Sequence, residues 1–338
     1  MDSVTHLFMG GAIAAAIAPA GQRRAALLAG AALNSLPDLD VLPLLLSDDP
    51  VVRMTWHRAA THSVLVLPVV GLLLWWWFGT RGKRVAQAPT RWFWIFQCAL
   101  VSHPLIDAFT VYGTQIWWPL PVAPAMWSSL FIIDPLFTLP LVVGCACAAW
   151  WGPRPRAKTA LVASLAISGA YVGWSLVAKA MVERAARPAL VAVGLGDAPH
   201  FSVPMPFNTL LWRVVAMTPD GFVEGERSLV ADRGPMTFHR YPSDTPSLDA
   251  VRDQPDVARL LWFSHHFMKA EVRDDRLVLS DLRMGAEPDY TFRFAVAERA
   301  GDAPWRAMPA EQMQWPWEAT RRLPALWTRI WHAPMAQE

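Results

Sequence analysis

The chain has 338 residues, of which 54% are hydrophobic and 17% charged, and its formal net charge is +2. Soluble domains carry about a quarter charged residues, so the composition excludes a wholly soluble protein. No basic tract is dense enough for a phosphate backbone, and no nucleic-acid partner is predicted. The shortage of charge is local. Residues 1–182 are strongly apolar, whereas residues 186–338 resemble ordinary soluble sequence.

Apolar segments in the first half predict a polytopic α-helical membrane domain of about six helices over residues 1–182. The segments cover residues 7–18, 25–36, 64–78, 92–109, 130–151 and 159–182. The first two are short for a span, which takes about 20 residues. The amino terminus lacks the basic region of a cleavable signal peptide, so we expect the first segment to be retained.

Basic residues between the apolar segments predict the orientation of the chain. They lie in the loops 22–24, 79–91 and 152–158. The positive-inside rule places such loops in the cytoplasm, here at a bacterial-type inner membrane. With six crossings, both termini and the whole second half would be extracytoplasmic.

Residues 186–338 predict a β-rich soluble domain, because short β-like runs alternate with turns. The runs are 190–193, 210–217, 221–229, 236–240, 260–272, 276–283 and 290–296. Pro219-Asp220-Gly221 and Asp274-Asp275 are hairpin signals. Residues 315–331 mix tryptophan, arginine and leucine, which indicates an amphipathic segment that lies on the bilayer.

Histidines and aspartates at the ends of apolar segments predict a metal site, since ionisable groups next to lipid are costly without a function. His103 and Asp107 are four residues apart and share one helix face. Asp38 and Asp40 follow Pro37 and can point into one cavity from an extended turn. The seven predicted ligands are His6, Asp38, Asp40, His57, His62, His103 and Asp107.

Imidazoles and carboxylates together suit zinc, with manganese or iron as alternatives. Seven ligands exceed a tetrahedral zinc site, so the pattern allows one ion or a two-metal site with a bridging hydroxide. Arg58 is predicted to pair with an anionic substrate, and Thr61 and Ser63 to hold the leaving or transferred group.

Three further polar residues are predicted to support the ligands rather than to bind the ion. Asp134 could equally cap the helix that begins near Pro135. The other two are Thr110 and Thr114.

Each motif also has a structural interpretation. His6 could be a helix cap, the two aspartates an ordinary helix-ending loop, and His103 with Asp107 a hydrogen-bonded pair. The joint pattern weakens these alternatives, because every histidine of the first half belongs to a motif. The remaining histidines lack carboxylates at ligand spacing, and they are His200, His239, His265, His266 and His332.

At these residues the sequence resembles the membrane-bound metal-dependent hydrolase family, the LexA-regulated YdjM-like group. The matching strings are Thr5-His6, Leu36-Pro37-Asp38-Leu39-Asp40, His57-Arg58-x-x-Thr61-His62-Ser63, Ser102-His103-x-x-x-Asp107-x-x-Thr110-x-x-Gly113-Thr114 and Trp118-Pro119. The resemblance covers the first half of the chain and implies a divalent metal and hydrolysis. A weaker similarity to zinc-dependent phospholipase C suggests phosphoester substrates.

The sequence therefore predicts a membrane-embedded hydrolase in which a metal-bound hydroxide attacks a phosphoester of a lipid-like substrate. An amide or acyl ester is a less favoured substrate. Its expected partners are membrane lipid and a small anionic or lipid substrate. The alternatives are a metal transporter or sensor, which would need ligands along a path through the membrane, and a scaffold with a structural metal.

Overall fold

A computed structural model describes residues 1–301, 303–315 and 319–334. The chain divides into two compact units. The first is Met1–Leu44 with Trp56–Ser175, and the second is Leu45–Thr55 with Leu176–Glu338.

In the described part of the chain, nine α-helices precede all the strands, and three further helices lie among or after the strands. The helices are α1 (Ser3–Ile17), α2 (Arg23–Ser35), α3 (Val41–Leu44), α4 (Pro50–Trp56), α5 (Leu67–Arg81), α6 (Lys83–Gln87), α7 (Pro89–Asp107), α8 (Pro135–Trp151), α9 (Pro155–Ala192), α10 (Thr245–Val251), α11 (Pro255–Phe263) and α12 (Ala319–Trp331). The strands are β1 (His200–Pro204), β2 (Leu211–Thr218), β3 (Gly221–Ser228), β4 (His239–Pro242), β5 (Met268–Arg273), β6 (Arg276–Asp281), β7 (Gly285–Ala286), β8 (Asp289–Tyr290), β9 (Arg293–Glu298) and β10 (Arg306–Gln312).

Capping residues and prolines set the helix ends in the first unit. Asp2 begins α1 by accepting hydrogen bonds from two amides of the first turn. Asp134 begins α8 in the same way, with Pro135 at the first helical position. The helix predicted over residues 130–151 therefore starts five residues later. Pro37 follows α2 and begins a 3-10 turn, Pro37–Asp40.

Helix α7 lies at the centre of the first unit. It packs against α1, α2 and α5. Its buried side chains include Ile95, Phe96, Ala99 and Leu100. These apolar residues of the helix are therefore covered by protein, whereas Trp94 and Leu105 stay exposed.

Helices α1 and α2 approach each other closely enough for backbone contact. A Cβ atom on Gly10 would overlap the carbonyl oxygen of Gly30, and a Cβ atom on Gly30 would overlap that of Gly10. Such small residues allow helix axes to come close together. His6 lies one turn before Gly10 and Asn34 one turn after Gly30, so this contact fixes the separation of two buried polar side chains.

Two helices of the described residues are long and apolar enough to cross a bilayer. One is the helical stretch Ala20–Leu44 of 25 residues, which joins α2 to the turns around it, and the other is α9 with 38 residues. Pro50–His62 and Leu67–Arg81 make a third only if the pair, bent by 57°, counts as one span. The prediction of about six spanning helices is therefore wrong.

Length and burial explain this correction. Helices α1 and α8 have 15 and 17 residues. At about 1.5 Å per residue they fall short of a hydrocarbon core of about 30 Å. Helix α7 has 19 residues, but its apolar side chains form protein core and its last turns carry His103 and Asp107. An apolar segment indicates only that its side chains are kept away from water. Neighbouring helices can cover them as well as lipid can.

The three basic loops converge at one end of the first unit. Arg23 Nη1 donates a hydrogen bond to the carbonyl oxygen of Gly152 at 2.7 Å, and Arg24 Nε donates to that of Ala149 at 2.8 Å. Gln22 donates to the side chain of Gln87. The sequence placed all three loops at the same end of a domain with six crossings. The structure brings the loops together without those six crossings.

The second unit contains two four-stranded antiparallel sheets, in the orders β1-β2-β3-β4 and β10-β9-β6-β5, and a two-stranded hairpin of β7 and β8. Strands β2 and β3 form the hairpin predicted at Pro219-Asp220-Gly221. Asp274 and Asp275, between β5 and β6, both have positive φ, as a two-residue hairpin turn requires. The β-rich second half agrees with the sequence prediction.

One predicted strand is helical for most of its length, and another is helical at its start. Residues 190–192 complete α9, and residues 260–263 belong to α11, so that β5 begins only at Met268. In α11 the buried residues Val257, Leu260 and Leu261 recur at helical spacing. The end of α9 buries Ala178, Val182 and Ala186 against the Trp212 side of the first sheet.

The predicted amphipathic segment at the carboxyl end forms α12, although residues 316–318 lie outside the described residues. Ile330 is buried with Met205 and Leu211 of the same unit. Arg329 Nη2 forms an ion pair with Asp232 at 2.6 Å. One apolar side of α12 therefore packs against the second unit itself, while Trp327 stays exposed.

The glycine contact predicts a specific stability loss. Gly30→Ala should force α1 and α2 apart and lower the free energy of unfolding by about 1–3 kcal/mol, as overpacking does. Gly169→Ala is the matched control, because a Cβ atom there meets nothing within 4 Å. Thermal unfolding of both variants in detergent measures the difference, and equal midpoints would contradict the close approach.

Candidate metal centre

Four pieces of the first unit bring the predicted ligands together. Helix α1 carries His6, and the 3-10 turn Pro37–Asp40 carries both aspartates. A second 3-10 turn, Ala60–His62, carries His62. The last turns of α7 carry His103 and Asp107.

Asp38, His62, His103 and Asp107 form a four-residue cluster whose ligand atoms all lie within 4.8 Å of one another. Nε2 of His62 lies 3.0 Å from Nε2 of His103. Asp38 Oδ1 lies 3.4 Å from the first nitrogen and 3.3 Å from the second. Asp107 Oδ2 lies 3.4 and 3.5 Å from the same two nitrogens. This group could hold a metal ion.

The outer nitrogens of both imidazoles are held by hydrogen bonds that fix the tautomers. His103 Nδ1 contacts the carbonyl oxygen of Asn34, which can only accept, so this nitrogen carries the proton. Thr61 donates its one hydroxyl proton to Asp40, so its oxygen accepts from His62 Nδ1 at 3.0 Å. In their neutral forms both imidazoles therefore direct an unprotonated Nε2 into the cluster.

The donor set fits a divalent cation. Two unprotonated nitrogens and two carboxylate oxygens repel one another unless a proton or a metal ion lies among them. Asp107 Oδ2 is buried and accepts no hydrogen bond from the described residues. Histidine ligands whose other nitrogen is held by a carbonyl or hydroxyl are typical of metal sites. Two imidazoles and two carboxylates suit zinc, and also manganese or iron.

His6 lies beside the cluster, on the other oxygen of Asp107. Its Nε2 is 3.1 Å from Asp107 Oδ1, and its Nδ1 is 3.2 Å from Asn34 Oδ1. Its ring stacks on that of His103 with centroids 3.7 Å apart. The amino group of Met1 is also buried and ion-paired with Asp107. His6 thus contacts Asp107, but its ring nitrogens are not among the ligand atoms that converge in the four-residue cluster.

Asp40 and His57 form a second pair at the edge of the cluster. His57 Nδ1 lies 2.7 Å from Asp40 Oδ1. Asp40 Oδ2 accepts from the hydroxyl of Thr61 at 2.7 Å and from the amide of Arg58 at 3.1 Å. The His57 side chain is 24% exposed, and its ring centroid is 5.7 Å from that of His62. Both predicted ligands therefore lie next to the four-residue cluster, paired with each other.

Arg58 is buried against a carboxylate. Its Nε lies 3.3 Å from Asp107 Oδ2, close enough for charge attraction although the N–H direction makes no hydrogen bond. Its two terminal nitrogens donate to Thr110 Oγ1 and to the carbonyl oxygen of Met1. The guanidinium carbon lies 4.9 Å from the ring centroid of Tyr112. The predicted substrate-binding arginine thus neutralises a ligand in this structure.

The other predicted polar residues serve the surrounding backbone. Ser63 Oγ donates to the carbonyl oxygen of Trp118 and accepts from the amide of Leu65 before α5. Asp134 caps α8 and accepts from the hydroxyl of Tyr171 at 3.0 Å, which is the capping alternative. The hydroxyl of Thr114 is buried without a hydrogen bond among the described residues.

Sequence reasoning missed Asn34 and Tyr112. Asn34 is fully buried, contacts His6, and donates to the hydroxyl of Ser102 and to the carbonyl of Ala99. The sequence did contain a signal for Asn34. A side-chain amide in an otherwise apolar helix, four residues before Asp38, is costly unless it is paired. The position of Tyr112 beneath Arg58 depends on the path of an irregular loop, and no periodicity predicts it.

Comparison with known proteins gives one family match. The model of the YdjM inner membrane protein family matches residues 1–182, which include every residue of the cluster. No curated protein and no solved structure gives a significant match. The expected similarity to zinc-dependent phospholipase C is therefore unsupported, and the description of the family states a membrane but no activity.

The cluster predicts metal content. The purified chain should retain about one divalent ion, because a four-ligand site with deprotonated donors binds such an ion tightly. His62→Ala and Asp107→Ala should each lose most of it. His239→Ala is the matched control, since this exposed histidine of β4 lies in the second unit. Elemental analysis measures the ratio, and full retention in both site variants would contradict the centre.

Proposed function

This chain belongs to the YdjM inner membrane protein family, and we propose that it is a membrane-bound, metal-dependent hydrolase of phosphoesters in lipid-like substrates. The metal is zinc, or else manganese or iron. One observation carries the proposal above the others: three side chains of the cluster are fully buried, and the fourth is partly exposed. The side chains of His62, His103 and Asp107 are 0% exposed, whereas that of Asp38 is 20% exposed.

An open side distinguishes the two kinds of metal site. Structural sites close the coordination of the ion with protein ligands, and catalytic sites leave a position for water or substrate. The opening at Asp38 supplies an approach for a substrate. When bound, a divalent ion here would polarise a phosphoryl oxygen as a Lewis acid.

The residues around the opening favour a substrate with an apolar part. Leu39 is 51% exposed and Leu42 is 58% exposed, in the same turn and the short helix after Asp38. Exposed leucines of a membrane protein are suited to contact with lipid. A phospholipid or a similar amphiphile would place its apolar chains against them and its phosphoester at Asp38.

His57 is the group that moves the proton. Asp40 holds its Nδ1, so the neutral ring directs an unprotonated Nε2 outward. Hydrolysis forms a bond from a water oxygen to phosphorus and breaks the bond from phosphorus to the leaving oxygen. His57 Nε2 accepts the water proton and returns it to the leaving alcohol, while Thr61 and the amide of Arg58 keep Asp40 in place.

The proposed proton transfer predicts a separation of turnover from metal binding. His57→Gln should keep the metal and lower kcat by about 10²–10⁴-fold, the usual contribution of general acid–base catalysis. The assay uses bis(p-nitrophenyl) phosphate and phosphatidic acid micelles as probes, with metal content measured on the same preparation. His239→Ala should match the parent chain.

Two outcomes count against this proposal. Unchanged turnover of His57→Gln with its metal in place removes His57 from the reaction. No turnover of either probe by the metal-loaded parent chain rejects phosphoester hydrolysis.

A second candidate, a scaffold with a structural metal, is favoured by Arg58. Its guanidinium already has an anionic partner in Asp107 and is buried. In a scaffold this contact preserves the charge balance of the ligands, so Arg58→Ala should loosen the metal. In the hydrolase the same contact positions Asp107. The absence of turnover with firmly held metal would favour the scaffold.

We further propose that residues 186–338 lie outside the cytoplasm. Helix α9 begins beside the basic loops, which the positive-inside rule places in the cytoplasm, and it is long enough to cross the bilayer. The chain that follows would then emerge on the opposite side. A phosphatase fused after Glu338 should be active in the periplasm, and a fusion active only in the cytoplasm would contradict this orientation.

A further inference from the structure

The first unit has an apolar groove away from the metal centre, with a volume of about 780 Å³. Helices α2 and α5 line its sides, and Trp92 and Phe96 of α7 line its floor. On α2 the lining residues Ala25, Ala29 and Ala32 recur along one face, and their small side chains leave the space open. The volume lies within the range of about 300–1,000 Å³ that small-molecule sites occupy.

One end of the groove is basic. Lys83 and Arg84, on the short helix α6, line it and are exposed. No carboxylate among the residues that the structure describes forms an ion pair with either side chain, whereas Arg81 nearby is stacked on Trp77. The other end is apolar and reaches Leu36 of the turn after α2. The groove therefore combines an apolar length with two available cations at one end.

This arrangement matches the chemistry of one class of molecule. A phospholipid has acyl chains that fit an apolar groove and a phosphate that lysine and arginine bind by charge-assisted hydrogen bonds. Basic pockets between membrane helices favour anionic headgroups, because each cation near the bilayer adds attraction. A zwitterionic lipid carries its own cation, which Lys83 and Arg84 would repel.

We propose that this groove binds an anionic phospholipid, with an acyl chain along the alanine face of α2 and its phosphate at Lys83 and Arg84. The site shares no residue with the metal cluster and does not require hydrolysis. The bound lipid would fill the space between α2 and α5.

Native mass spectrometry of the full chain tests the proposal, with phosphatidylglycerol and phosphatidylcholine added separately to detergent micelles. Phosphatidylglycerol should be retained more strongly. The double variant Lys83→Gln/Arg84→Gln should lower its retention by about tenfold through loss of two cations. The matched control is Arg154→Gln/Lys158→Gln, which removes two exposed cations at the start of α9 and should leave retention unchanged.

A second pair of variants tests the groove itself. Ala32→Phe fills it from α2 and should lower retention of phosphatidylglycerol, while Ala166→Phe adds the same ring to an exposed face of α9 and should not. Equal retention of the two lipids by the parent chain, an equal loss in both charge variants, or full retention by Ala32→Phe would each overturn the proposal. Metal content and turnover are independent readouts, so this failure would be distinct from failure of the hydrolase proposal.

Discussion

The Asp107 carboxylate is the group on which the polar interior of the first unit depends. It is fully buried at the end of α7 and contacts both neighbouring imidazoles, His6, Arg58 and the amino group of Met1. A buried carboxylate without compensation costs several kcal/mol, so its neighbours must supply positive charge or donors. The amino group of Met1 pairs with Oδ1, and Arg58 Nε lies 3.3 Å from Oδ2. Oδ2 also faces His62 and His103 and accepts no hydrogen bond from the described residues, so a metal cation bound there would add compensation.

The residue types and their spacing predicted the centre of this site well. His103 and Asp107 share a helix face as their spacing requires, and the histidine string supplied His62. The sequence did not predict which of the seven residues form the cluster and which lie beside it. Asp38 and Asp40 leave the same 3-10 turn in different directions, one toward the cluster and the other toward His57. That difference depends on backbone dihedrals after Pro37, which a pattern of residue types does not specify.

The fold was predicted less well in the first half than in the second. Hairpin turns depend on local residues, so Asp274-Asp275 located the ends of β5 and β6. The number of spanning helices instead depends on what covers each apolar face, and this is a tertiary property. Helix α7 shows the ambiguity, because Ile95 and Leu100 are apolar for contact with other helices rather than with lipid. Hydropathy alone cannot separate the two environments.

The sequence separation of the ligands has a consequence for biosynthesis. Helices α1 and α2 leave the ribosome before the other segments of the site and meet at Gly10 and Gly30, which sets His6 beside Asn34. Asp38 and His62 follow, but the full set of donors forms only after Asp107 has been synthesised and α7 has inserted between its neighbours. The complete cluster could therefore bind a metal ion only late in synthesis, and a nascent chain that stalls before α7 holds an incomplete site.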